Sequence, residues 1–141
     1  MNRFILASHG ELAAGMKKTI AMLFGPQDNI SAYGLHEGES VRALYEAVEK
    51  EVMEAEGECV IAITDLPGGS VNNNLLELVG KRDNFYLLSG MNVGLVLNLV
   101  IQQEITEAVI AECVDAAKTT IQYFSVSDMK NSNSEGDDFF D

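Results

Sequence analysis

The fold is decided by one stretch, Phe4-Ile5-Leu6-Ala7-Ser8-His9-Gly10-Glu11-Leu12. Four apolar residues run without interruption into a hydroxyl, a histidine and a glycine. A helical pattern starts at once, since Leu12, Met16 and Ile20 fall on one face. The stretch therefore predicts a buried strand, a tight turn and a helix. His9 is placed at the carboxyl end of the strand, the edge at which open α/β sheets bind ligands.

The same alternation of strand and helix continues along the chain. Apolar runs predict further strands at about 29–35, 59–64 and 85–88, and helical periodicity predicts helices at about 11–24, 41–52, 71–79, 91–101 and 105–116. Ser40 and Ser70 are expected as N-caps of two of these helices. Strands that alternate with helices indicate an α/β fold: a doubly wound, four-stranded parallel sheet in the order 2-1-3-4, with helices on both faces. In that order, the first and third strands flank the switch point where a crevice opens.

The C-terminal part of the chain changes character. The segment 91–101 is apolar nearly all round, so we expect a second subunit to cover it. The β-branched and aromatic residues of 121–126 predict an antiparallel edge strand or an arm exchanged in a homodimer. From Ser127 onward the chain is polar and acidic. We expect one domain over residues 1–126 and a disordered acidic tail over 127–141.

Composition excludes several classes of function. The chain has 9 basic and 22 acidic residues, a net charge of −13, and no basic stripe for a nucleic-acid backbone or an anionic membrane. Cys59 and Cys113 are too few and too far apart for a disulfide framework. We see neither a signal peptide nor an apolar run long enough to cross a bilayer, so we expect a cytoplasmic protein with no direct membrane insertion.

Two side chains with complementary chemistry follow the strands at the predicted switch point. His9 follows the first strand and Asp65 follows the third. A carboxylate that accepts the proton of one ring nitrogen leaves the other nitrogen free as a nucleophile, and it stabilises the ring when that nitrogen is phosphorylated. We therefore expect His9 and Asp65 to be the catalytic pair.

Short residues beside this pair could bind a phosphoryl group through hydroxyl and backbone N–H donors. The expected phosphate-binding residues are Ser8, Gly10, Gly68, Gly69 and Ser70. Neither motif contains a lysine or the spacing of a P-loop, so a nucleotide donor is disfavoured and another phosphohistidine fits better. We expect no cofactor and no metal; His9, His36 and Asp65 have no spacing typical of metal ligands.

Together the two motifs resemble a known family. Ser8-His9-Gly10 after the first strand and Asp65-Leu66-Pro67-Gly68-Gly69-Ser70 after the third are similar to the enzyme IIA component of the mannose-type sugar phosphotransferase system. The turn Ser89-Gly90-Met91-Asn92 resembles that family's Gly-x-Asn turn, although Gly94 stands where many members have proline. The resemblance covers about residues 1–124.

The resemblance implies a function and a set of partners. His9 would accept a phosphoryl group, on Nε2, from the phosphocarrier protein HPr and pass it to a IIB component. The IIB component would phosphorylate a sugar that enters through a IIC/IID permease, which this chain serves only indirectly. The resemblance also implies a homodimer whose C-terminal strand is exchanged between subunits, and Asp65 as the residue that orients the His9 ring.

Other functions remain open from the sequence. A related phosphocarrier subunit that feeds dihydroxyacetone kinase shares the fold and the histidine, although we expect a residue other than Gly10 after the histidine there. A non-catalytic regulatory binding domain is a further alternative. A receiver-like domain is disfavoured because Ala7-Ser8-His9 lacks the acidic cluster it needs, and a serine hydrolase is disfavoured because no G-x-S-x-G elbow occurs.

Overall fold

The computed structural model describes residues 1–135 as a parallel sheet between two helical layers. Its strands are β1 (Asn2–His9), β2 (Ile30–Leu35), β3 (Cys59–Thr64) and β4 (Phe85–Ser89). They are hydrogen bonded in the order β2-β1-β3-β4, and all three pairs are parallel. The predicted α/β fold and strand order are confirmed.

Within residues 1–135, six helices connect and follow the strands. They are α1 (Leu12–Phe24), α2 (Val41–Glu54), α3 (Ser70–Leu75), α4 (Val93–Val100), α5 (Glu107–Lys118) and α6 (Val126–Glu135). A 3-10 turn, Leu76–Leu78, prolongs α3. No helix within residues 1–135 is both long enough and apolar enough to cross a membrane.

The side chains of the central strands alternate between two cores. Phe4 and Leu6 of β1 pack with α1, α4 and α5, whereas Ile5 and Ala7 pack with α2 and α3 on the opposite face. All four side chains are fully buried. Burial of a large apolar side chain stabilises the folded state by roughly 1.5–3 kcal/mol. Because both faces of the sheet are packed in this way, the edge where β1 and β3 end is held in place.

The register of the central strands sets which residues reach that edge. Ala7 of β1 lies opposite Thr64 of β3, and His9 lies opposite Leu35 of β2. His9 is the last residue of β1 and Asp65 directly follows β3, so both lie on the carboxyl edge of the sheet. This is the switch point that the strand order predicts.

One side of the apolar helix α4 is buried by the same chain. Leu95, Val96, Leu99 and Val100 are buried, and α4 contacts α5 and α1. This cover by α5, whose buried side includes Cys113, was not expected from the sequence. Val93 and Ile101 remain exposed, so cover of the segment by a second subunit stays a prediction.

The C-terminal segment also differs from expectation. Within the described residues, 121–125 form no strand, and the expected tail from Ser127 begins as helix α6; the rest of that tail, residues 136–141, lies outside the described part. A reciprocal cap begins α6, because the backbone N–H of Asp128 donates to Ser125 Oγ and the N–H of Ser125 donates to the Asp128 carboxylate. Exchange of the 121–126 segment between subunits stays a prediction, since it involves a second chain.

Candidate functional site

The crevice between the carboxyl ends of β1 and β3 brings His9 and Asp65 into direct contact. The backbone N–H of His9 donates to Asp65 Oδ2 at 2.9 Å, and His9 Nδ1 lies 2.8 Å from the same oxygen. The Asp65 side chain is only 8% exposed, whereas the ring of His9 is 46% exposed. The carboxylate is thus the buried support of an imidazole that faces solvent.

The pKa of Asp65 reflects this arrangement. Burial raises the pKa of Asp65, but hydrogen bonds from the His9 backbone, the His9 ring and the N–H of Leu66 together outweigh burial. The pKa of Asp65 is therefore held below its usual value, and the group is ionised at neutral pH. An ionised carboxylate can only accept, so Nδ1 of His9 carries the proton that is donated to it.

The second ring nitrogen of His9 faces α3. Nε2 lies 3.1 Å from the hydroxyl oxygen of Ser70. Since Nδ1 carries the proton of the neutral ring, Nε2 holds a lone pair and the Ser70 hydroxyl donates to it. In this tautomer the site presents an imidazole nitrogen with a lone pair, on a ring that is 46% exposed, and such a nitrogen can act as a nucleophile.

Ser70 was expected to be the N-cap of α3, and that expectation is wrong. Gly69 is the N-cap, Ser70 is the first residue of the helix, and no side chain caps α3. The Ser70 hydroxyl is directed to the imidazole of His9 instead of to a backbone N–H of its own helix. A capping serine and a serine that contacts a ligand look alike in sequence.

The Ser8 hydroxyl has a different role from the predicted phosphate contact. Ser8 is fully buried, and its Oγ accepts a hydrogen bond of 2.8 Å from the backbone N–H of Ala13 in the first turn of α1. Glu11, the N-cap of α1, makes no side-chain cap bond. Ser8 therefore caps α1 from the preceding strand, and we leave its side chain out of the proposed phosphate site.

Gly10 directly follows His9, and Gly68 and Gly69 lie in the turn after Asp65; their binding of phosphate stays a prediction. Gly10 adopts a φ of 59°, which turns the chain from β1 into α1 and is a conformation that favours glycine. A Cβ on Gly69 would lie 3.3 Å from Leu66 Cγ and 3.4 Å from Cε1 of the His9 ring, so Gly69 lies directly beside the imidazole. Gly68 precedes it in the same turn.

Three consecutive asparagines of α3 hold the residues around the site, and the sequence analysis missed them. Asn72 Oδ1 accepts from the hydroxyl of Thr64, directly before Asp65. Asn73 and Asn74 donate from Nδ2 to the carbonyl oxygens of Gly68 and Ser70. The available signal was composition: asparagine is a poor helix former, and three in one turn indicate that side chains make specific bonds.

His36 and Glu11 lie at the end of β2 and the start of α1. His36 Nε2 is 3.4 Å from Glu11 Oε1, and the side chains are 48% and 82% exposed. The Glu11 side chain thus points outward into solvent, as expected. Within residues 1–135, no group of three or more His, Cys, Asp or Glu side chains is placed to hold a metal ion.

The chain is similar to known proteins over most of its length. The family model EIIA-man, described as the PTS system fructose IIA component, matches residues 3–118. The sorbose-specific EIIA component of Klebsiella pneumoniae is 32% identical over 74% of this chain and 76% of its own. The mannose-specific EIIAB component of Escherichia coli K12 is 23% identical over 71% of this chain but only 31% of its own length.

A solved structure gives the same result. The PTS IIA protein associated with the fucose utilization operon of Streptococcus pneumoniae superposes with a TM-score of 0.78 at 28% identity. The match covers 92% of this chain and 96% of that protein.

Proposed function

Because the chain belongs to the family of PTS system fructose IIA components, we propose that it is a phosphocarrier of a sugar phosphotransferase system. It accepts a phosphoryl group on Nε2 of His9 from phosphorylated HPr and passes it to a IIB component. One observation supports the proposal: His9 Nδ1 lies 2.8 Å from the Asp65 carboxylate, which favours the proton on Nδ1 and leaves the lone pair on Nε2 of a ring that is 46% exposed.

The transfer needs no oxidant, metal or general base. The lone pair of Nε2 attacks the phosphorus of the donor phosphohistidine, and an N–P bond forms as the N–P bond of the donor breaks. The bonding electrons return to the donor ring. Nδ1 of His9 keeps its proton, so the phosphorylated ring is cationic, and the ionised Asp65 that it contacts stabilises it. Transfer to IIB is the same step in reverse.

Ser70 would change partners during the reaction. Before transfer its hydroxyl donates to the lone pair of Nε2. Once Nε2 is bonded to phosphorus, that acceptor is lost, and the hydroxyl is placed to donate to a phosphoryl oxygen. The backbone N–H groups of Gly10, Gly68 and Gly69 are the further donors that we propose for the phosphoryl oxygens.

The partners follow from the chemistry of a phosphohistidine relay. HPr supplies the phosphoryl group and IIB removes it, so both dock on the carboxyl edge of the sheet. The sugar is taken up by the IIC/IID permease and does not contact this chain. We also propose a cytoplasmic location and a homodimer that exchanges residues 121–126.

The experiment uses the two histidines of the chain as a matched pair. Wild type, His9→Ala and His36→Ala are incubated with phosphorylated HPr, and the adduct is tested for acid lability and base stability. We expect label on wild type and His36→Ala but not on His9→Ala. Labelling of His9→Ala at the wild-type level, or an acid-stable adduct, would overturn the proposal. Onward transfer to dihydroxyacetone kinase instead of IIB would select the alternative carrier.

A further inference from the structure

Ser70 is held by a chain of hydrogen bonds that begins on another helix. We propose that Asn74, held in turn by Arg42, is a positioning residue that keeps the Ser70 hydroxyl on Nε2 of His9. The inference rests on the proposed function of His9, which it deepens by assigning two residues outside the crevice. The juxtaposition is Arg42 on α2, Asn74 and Ser70 on α3, and His9 at the end of β1.

The first link sets the orientation of the Asn74 amide. Nη1 of Arg42 lies 2.8 Å from Asn74 Oδ1, and a guanidinium has only donors. The amide oxygen must therefore face Arg42, and the amide nitrogen must face the other way. Asn74 Nδ2 then donates to the backbone carbonyl oxygen of Ser70 at 2.8 Å. In the flipped orientation the NH₂ group of Asn74 would face the donor Arg42 and its oxygen would face the carbonyl oxygen of Ser70, so both hydrogen bonds would be lost.

Arg42 is itself fixed on three sides. Its Nη1 also donates to Glu77 Oε2 at 2.7 Å, and its guanidinium carbon lies 4.2 Å from the centre of the Tyr45 ring. Tyr45 is buried against the sheet. Although about half of the Arg42 side chain is exposed, these contacts hold it in one place.

The length of α3 explains why Ser70 needs such support. The helix has only six residues before it tightens into a 3-10 turn, and no side chain caps it. Short helices fray at their ends because few backbone bonds offset the entropy of ordering them. A side-chain bond to the carbonyl of the first residue holds that residue in the helix, and so holds its hydroxyl 3.1 Å from Nε2 of His9.

The test is a double-mutant cycle on the rate of phosphoryl transfer from phosphorylated HPr. Asn74→Ala and Arg42→Gln are each measured in the wild-type background and in Ser70→Ala. We expect each to slow transfer about fivefold in wild type, equivalent to one neutral hydrogen bond of about 1 kcal/mol. Neither should slow it further in Ser70→Ala, because the group they position is already absent.

A matched control tests whether Arg42 acts through its contact with Asn74 or only through its positive charge. Lys81→Gln removes a positive charge from the turn that follows α3 and contacts α2, since Lys81 also lies over the Tyr45 ring and pairs with Glu49. It makes no bond to Asn74 among the described contacts and should leave the rate unchanged. Equal slowing by Asn74→Ala in both backgrounds, or slowing by Lys81→Gln equal to that of Arg42→Gln, would overturn the inference.

A second readout needs no phosphoryl donor. The ¹⁵N chemical shift of His9 Nε2 in the unphosphorylated protein reports the hydrogen bond from Ser70. It should move in the same direction in Asn74→Ala, Arg42→Gln and Ser70→Ala, and stay in place in Lys81→Gln. An unchanged shift in Asn74→Ala would overturn the positioning role. If wild-type His9 is not labelled by phosphorylated HPr, the proposed function is overturned. The ¹⁵N chemical shifts would still test the positioning role, because they are measured without a phosphoryl donor.

Discussion

Oδ2 of Asp65 accepts two hydrogen bonds from His9, one from its backbone N–H at 2.9 Å and one from Nδ1 at 2.8 Å. One oxygen atom thus fixes both the position of the residue and the orientation of its ring. Because the other carboxylate oxygen accepts from the N–H of Leu66, the carboxylate cannot turn without losing a partner. The tautomer of His9 therefore depends on a carboxylate whose two oxygens both accept hydrogen bonds.

Asp65→Asn should slow phosphoryl transfer strongly while the protein still folds. An amide has only one acceptor oxygen. In one orientation its NH₂ group faces the N–H of Leu66 and that hydrogen bond is lost; in the other the NH₂ group faces His9 and favours the tautomer with the ring proton on Nε2. We expect the transfer rate to fall about 100-fold or more. Single-turnover transfer and the ¹⁵N shifts of the ring measure the two effects. A wild-type rate in Asp65→Asn, or in Asp65→Ala, would remove the role assigned to Asp65.

The stability that Asp65 contributes should depend on pH in a defined direction. Its folded-state pKa lies below the ordinary value of 3.8, so its contribution is fully present above that value and is lost as pH falls through the folded-state pKa. The difference in unfolding free energy between wild type and Asp65→Asn should shrink as the pH falls below about pH 4, where the Asp65 carboxylate is protonated. Urea unfolding from pH 3 to pH 5 measures it. A difference that grows as the pH falls below about pH 4 would contradict the assignment.

The sequence predicted the parts of the site that depend on strand order, and it missed those that depend on side-chain partners. Apolar runs located β1 and β3 and, through the switch-point rule, the meeting of His9 with Asp65. Which partner the Ser8 and Ser70 hydroxyls choose is settled by tertiary distances that no periodicity encodes. The cover of α4 by α5 was missed for the same reason. The apolar sequence of a helix indicates that the helix is buried, but it does not indicate which element buries it.

Ser8→Ala should destabilise the protein more than loss of an ordinary surface cap. The Ser8 hydroxyl accepts from the N–H of Ala13, and both residues are fully buried, so no water replaces the lost acceptor. We expect the free energy of unfolding to fall by about 1–3 kcal/mol. Ser40→Ala is the matched control, because Ser40 caps the exposed start of α2 and should cost only about 0.5–1 kcal/mol.

Denaturant unfolding measures both serine variants, and labelling from phosphorylated HPr tests the second half of the prediction. Because Ser8 lies outside the proposed phosphate site, folded Ser8→Ala should accept phosphoryl groups at close to the wild-type rate. A stable but inactive Ser8→Ala protein would instead return Ser8 to the phosphate site.

Gly34→Ala should disturb the turn that carries His9. A Cβ at Gly34 of β2 would overlap the carbonyl oxygen of Gly10. Gly10 cannot easily move away, because its backbone N–H donates a hydrogen bond to the carbonyl oxygen of Leu35 in β2. Since backbone must move to make room, we expect a loss of about 1–3 kcal/mol in unfolding free energy and slower labelling of His9. Gly15→Ala is the control: a Cβ there meets open space inside α1, so it should stabilise the protein by about 0.5–1 kcal/mol. Equal stability of the two variants would show that β2 does not constrain the Gly10 turn.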